Sequence, residues 1–109
     1  MKSWKGFVVA GNNGEVKANS SSIGPFGIWT VNFIAEDQVQ FKSAHGKNLV
    51  VKSYEGECET FTLVHKGNGY FSFKSDHGNY LCAMTDGKLN ANGKAASVWE
   101  TFEVIPVGK

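Results

Sequence analysis

The stretch Phe73 to Val104, FKSDHGNYLCAMTDGKLNANGKAASVWETFEV, decides the fold. Apolar side chains alternate through Tyr70-Phe71-Ser72-Phe73, Tyr80-Leu81-Cys82-Ala83, Lys88-Leu89-Asn90-Ala91 and Trp99 to Val104. Period-two alternation marks half-buried strands, and the intervening His-Gly, Asp-Gly and Asn-Gly pairs supply turn chemistry. The stretch and its lead-in therefore predict a four-strand unit.

The rest of the chain repeats that unit. Moved back without a gap so that Leu81 falls on Val8, the stretch also lays Ala83 on Ala10, Gly87 on Gly14, Leu89 on Val16 and Ala91 on Ala18. Trp99, Phe102 and Val104 then fall on Phe26, Trp29 and Val31. The middle of the chain matches in two blocks. FKSAHGKNLVV, Phe41 to Val51, sits on FKSDHGNYLCA, and Cys58, Phe61 and Leu63 sit on Trp99, Phe102 and Val104. The separations from Val31 to Phe41 and from Leu63 to Phe73 are equal, so each last strand leads into the next first strand by a constant link.

Three such β units, about 1–36, 37–68 and 69–109, predict a single all-β domain of β-trefoil type. First and last strands of each unit would close a barrel, which removes sheet edges, and the inner pairs would form three capping hairpins. The expected core is Val8, Ala10, Val16, Ala18, Phe26, Trp29, Val31, Val39, Phe41, Leu49, Val51, Cys58, Phe61, Leu63, Phe71, Phe73, Leu81, Ala83, Leu89, Ala91, Trp99, Phe102 and Val104. Two departures follow from the register. The second unit is too short for a full hairpin, so Tyr54-Glu55-Gly56-Glu57 is expected as a tight turn in place of a third strand. The first unit's first strand is truncated to a stub within Met1 to Trp4, which makes Trp4 the counterpart of His45 and His77.

Composition bounds the function. At 109 residues the chain can bury a core without disulfide staples, and Cys58 and Cys82 form no CxxC pair. Cys58 is expected inside, at a position aromatic in the other units; Cys82, between inward Leu81 and Ala83, is expected to face out. The net charge is +1, and every basic residue is Lys. Without Arg, bidentate phosphate and base-edge contacts lose their best donor, which argues against a nucleic-acid reader. No apolar run approaches a membrane span, and Met1-Lys2-Ser3-Trp4 lacks the features of a secretory leader, so a cytoplasmic protein is expected.

The units resemble those of fascin-type β-trefoils. The resemblance rests on Gly78-Asn79-Tyr80-Leu81-Cys82-Ala83, Gly87-Lys88-Leu89-Asn90-Ala91 and Trp99-Glu100-Thr101-Phe102. It rests also on Val16-Lys17-Ala18-Asn19-Ser20-Ser21-Ser22-Ile23 leading to Ile28-Trp29-Thr30, and on Cys58-x-x-Phe61. It covers nearly the whole chain and departs from the family at Lys47-Asn48-Leu49-Val50-Val51, which lacks the aromatic residue. Fascins carry four trefoils in tandem and bundle actin filaments, so the resemblance implies F-actin as partner. The single-domain hisactophilins are more distantly similar, but their histidine-crowded surface has only three histidines to match it here. The Gln-x-Trp of ricin-type lectins does not occur.

His45 and His77 stand in equivalent hairpins, with Lys42, Lys47, Lys74, Lys88 and Lys94 on the same rims. Together they could form a cationic edge for an acidic filament. The plainer reading makes the histidines turn residues before glycine and the lysines a solvated coat that protects sheet edges. Trp4 and Tyr80 are the aromatics that could stack on a sugar. Tyr54, Glu55 and Glu57 occupy an exposed turn with no pocket to separate carboxyl pKa values. His45, His65, His77, Cys58 and Cys82 show no metal-ligand spacing, and no nucleophile elbow or phosphate-binding loop occurs. The sequence thus points to a non-enzymatic binding module without metal or cofactor, monomeric or weakly dimeric, that binds F-actin; the alternatives are a carbohydrate-binding trefoil or a scaffold domain of a multi-trefoil protein.

Overall fold

The structure is a computed structural model that describes residues 1–11, 15–54 and 56–105. Gly14 and Glu55, both used in the sequence reading, lie outside the described residues. Among the described residues eleven strands form: β1 (Phe7–Ala10), β2 (Val16–Ser20), β3 (Thr30–Phe33), β4 (Gln38–Lys42), β5 (Val51–Ser53), β6 (Gly56–Cys58), β7 (Phe61–Gly67), β8 (Tyr70–Ser75), β9 (Tyr80–Ala83), β10 (Leu89–Gly93) and β11 (Phe102–Glu103). Single 3₁₀ turns, Pro25–Gly27 and Val98–Glu100, precede β3 and β11.

The pairing is that of a barrel with three hairpins. Antiparallel contacts run β3 to β4, β4 to β7, β7 to β8 and β8 to β11. From β11 the ring continues to Lys2, whose backbone exchanges two 2.8 Å hydrogen bonds with Glu103. The expected stub is therefore one residue long. Hairpins β1–β2, β5–β6 and β9–β10 supply the three caps. The β7–β8 hairpin shows how sequence sets register: Gly67 pairs with Tyr70 across Asn68-Gly69, whose φ angles of 56° and 85° suit a tight turn that matches strand twist.

The second cap corrects an expectation. Gly56 and Glu57 belong to β6, which pairs Ser53 with Gly56, Lys52 with Glu57 and Val51 with Cys58. A third strand exists, and it fits because it leads into β7 after only Glu59 and Thr60, without the 3₁₀ turn of the other units.

At the centre Phe41 packs on Phe61 (ring centroids 6.1 Å) and on Phe73 (5.0 Å), and Phe73 packs on Phe102 (5.5 Å). Phe61, Phe73 and Phe102 are completely buried, and each contributes roughly 1.5–3 kcal/mol by removal from water. Trp29 packs against the same cluster while its indole N–H donates to the Val8 carbonyl at 2.9 Å. Most of the expected core is found there. Phe26, Val31 and Trp99 are not: they are exposed by 49%, 38% and 38%. Phe26 and Trp99 sit on the 3₁₀ turns and stack at the barrel rim instead of entering it. Val31 is on β3, which among the described residues pairs with β4 alone; Phe33 and Ile34 beside it are also exposed. The one-residue stub reaches β11 but does not cover that edge.

Cys82 is the opposite correction. It is buried, because the 3₁₀ turn Val98–Glu100 packs over the outer face of β9. Beneath that turn, its thiol lies near Glu100 and 3.8 Å from the Met84 sulfur.

Candidate functional site

Three equivalent rim positions take one tryptophan and two histidines. Trp4 lies parallel to Trp99, centroids 5.4 Å apart and planes at 2°, and its Nε1–H donates to the Ala83 carbonyl at 2.8 Å. His45 stacks on Phe26 (4.7 Å, 16°), and its Nε2 lies 3.3 Å from the Ala10 carbonyl. Phe26 and Ala10 are the repeat counterparts of Trp99 and Ala83, so one arrangement is built twice with different rings. In the third copy His77 meets Cys58, and Asp76 joins them. The turns hold these side chains: the His45 and His77 backbone N–H groups each donate to a buried serine hydroxyl, Ser43 and Ser75, at 3.2 Å. The turn-residue reading thus has a structural basis. His45 is half-buried and bonded, and only His77 of this pair is exposed. His65 packs its ring on Phe71.

The lysines separate. Lys74 extends over the Tyr80 ring, 5.9 Å from its centroid. Lys42 ends β4, and Lys94 follows β10; both are exposed. Lys88 and Lys47 lie on adjoining depressions that share Val16, Leu49 and Val50 as lining. Lys17 and Lys52 complete that surface, with Glu15 the acidic residue in its lining. The sequence reading missed these two because they lie on different hairpins and meet only when the caps converge.

Trp4 also lines a groove of about 550 Å³ with Lys2, Lys66, Tyr70, Ser97, Thr101 and Glu103. Tyr80, the other suggested stacking residue, is half-buried and lies outside this groove. At its rim Ser97 and Glu100 form a reciprocal capping box, and the Glu100 carboxylate accepts from the Ser97 backbone N–H and hydroxyl. Burial pushes the Cys82 thiol up to about 12, and the adjacent Glu100 carboxylate adds to the rise.

Among solved structures the chain is similar to a designed 3-fold symmetric protein, ThreeFoil, with a TM-score of 0.78 over 98% of this chain and 96% of that one. The fold is a β-trefoil. At 13% identity this likeness concerns fold alone. Residues 56–109 of the trefoil match the FRG1-like domain family, a segment that begins with β6. A comparison with curated proteins gives no match. No helix among the described residues is long and apolar enough to cross a membrane. These likenesses concern the fold; what the chain binds is a separate question.

Proposed function

We propose that this chain is a non-enzymatic binding module that engages actin filaments electrostatically through its cap face. The observation that carries the reading is the convergence of Lys17, Lys47, Lys52 and Lys88 around Val16, Leu49 and Val50. Clustered cations attract an acidic surface even where net charge is close to zero. The fascin resemblance supplies the filament as the acidic partner. Lys74, on another rim, adds a positive charge without belonging to this face. The test is co-sedimentation with filaments: pelleting at low salt that weakens steeply as salt rises supports the reading, and no pelleting at low salt removes it.

A carbohydrate partner is the second reading, favoured by the groove in which Trp4 and Tyr70 stand beside Ser97, Thr101 and Glu103. Amphipathic rings next to hydrogen-bonding groups are what a sugar requires. Glycan-array binding abolished by Trp4→Ala would establish it, and a silent array would end it.

A further inference from the structure

The third rim position differs in kind from the other two. Where the first two copies set ring against ring, the third sets the His77 imidazole against the Cys58 thiol, with the Asp76 carboxylate alongside. In the second unit Ala44 holds the Asp76 position, so the carboxylate is specific to this copy. One ligand atom from each of Cys58, Asp76 and His77 lies within 4.8 Å of the other two. Asp76 Oδ1 and His77 Nε2 are 3.8 Å apart. Cys58 is 1% exposed and pairs with Val51, so its sulfur is fixed by the β5–β6 hairpin, whereas Asp76 and His77 are on the exposed turn after β8.

We propose that Cys58, Asp76 and His77 form a binding site for a divalent cation of borderline softness, Zn²⁺. Sulfur, imidazole nitrogen and carboxylate oxygen form a donor set typical of Zn²⁺, whereas Mg²⁺ and Ca²⁺ favour oxygen alone. Bond lengths of about 2.0–2.3 Å at tetrahedral angles put donor atoms roughly 3.3–3.7 Å apart, so closure needs movements of only about 1 Å. The exposed turn can supply them. Three protein ligands leave one coordination position for water. The pairing is invisible to spacing rules because Asp76 and His77 belong to the third unit and Cys58 to the second; the pseudo-threefold axis joins them.

The full-length chain, reduced with a phosphine, is titrated with Zn²⁺ calorimetrically and with Co²⁺ spectroscopically. One ion per chain is expected, with thiolate-to-cobalt charge transfer and four-coordinate d–d bands. Cys58→Ser should abolish the charge-transfer band. His77→Ala should weaken Zn²⁺ by about 100-fold or more, and Asp76→Asn by about tenfold, since even outer partners of a metal act on that scale. Cys82→Ser and His45→Ala should leave both readouts unchanged. A wild-type cobalt spectrum without the thiolate band overturns the site, as does a band that survives in Cys58→Ser. If Cys58→Ser does not fold, His77→Ala decides: its ring is at the surface, circular dichroism verifies its fold, and unchanged affinity overturns the proposal.

Discussion

Trp4 and Trp99 face each other in parallel, 5.4 Å between ring centroids. The contact joins the first and last units of the chain next to the two Lys2–Glu103 backbone bonds. It clamps the barrel at the point where strand pairing is shortest. His45 on Phe26 is the equivalent contact between the second unit and the first. Aromatic pairs of this kind add about 0.5–1.5 kcal/mol beyond the area they bury.

Trp4→Ala removes the stack and the bond to the Ala83 carbonyl, and should cost about 2 kcal/mol, below the range for a fully buried Trp because the residue is 37% exposed. His45→Ala should cost about 1 kcal/mol. Urea unfolding curves for the two variants test the order; equal losses would contradict the difference in ring size and bonding.

Phe73 touches both Phe41 and Phe102 and is wholly buried. Phe73→Ala should lose about 3–5 kcal/mol. Against a total stability of about 5–15 kcal/mol, that loss lowers the thermal midpoint sharply or abolishes folding. Calorimetry of the variant is the check.

Cys82 makes stability fall in alkali. Its thiol rises from 9.0 to about 12 on folding, so the unfolded chain releases the proton first as pH increases. The native advantage is complete below pH 9.0 and is lost as pH climbs toward about 12. Cys82→Ala should flatten that limb relative to the wild type in denaturant melts across the range. Parallel curves for the two proteins would contradict the shift.

Ser72 on β8 is completely buried, and its hydroxyl has no hydrogen-bond partner among the described residues. A buried hydroxyl without a partner bears its desolvation cost uncompensated, about 1–3 kcal/mol. Ser72→Ala should therefore be neutral or stabilising by about 1 kcal/mol. A clear loss of stability would point to a bonded hydroxyl.

The double variant Lys52→Glu with Lys88→Glu inverts two charges of the cap face. Filament pelleting at low salt should fall by about tenfold or more, with stability changed by no more than about 0.5 kcal/mol because both side chains are exposed. Lys74→Glu, on another rim, should have a smaller effect. Equal effects from both would disperse the proposed surface over the whole molecule.

The repeats were readable because period-two alternation and turn glycines are local signals. They placed Phe41, Phe61, Phe73 and Phe102 inside and made Trp4, His45 and His77 equivalent. Cys82 escaped because alternation assigns a face but cannot foresee a 3₁₀ turn packing over that face. Phe26 and Trp99 escaped for the related reason that a 3₁₀ turn has no strand alternation. Lys17 and Lys52 carried no local signal, being ordinary lysines on separate hairpins.

Read alone, the residues determined the threefold β architecture, the aromatic centre and the shortened second unit, because each follows from the spacing of apolar side chains along one strand or its repeat. Only the tertiary structure decided that β3 pairs with β4 alone among the described residues, that four lysines from different hairpins converge on one face, and that Cys58 lies beside Asp76 and His77. Each of those is a meeting between units distant in sequence, and barrel closure, not local propensity, sets which side chains face one another.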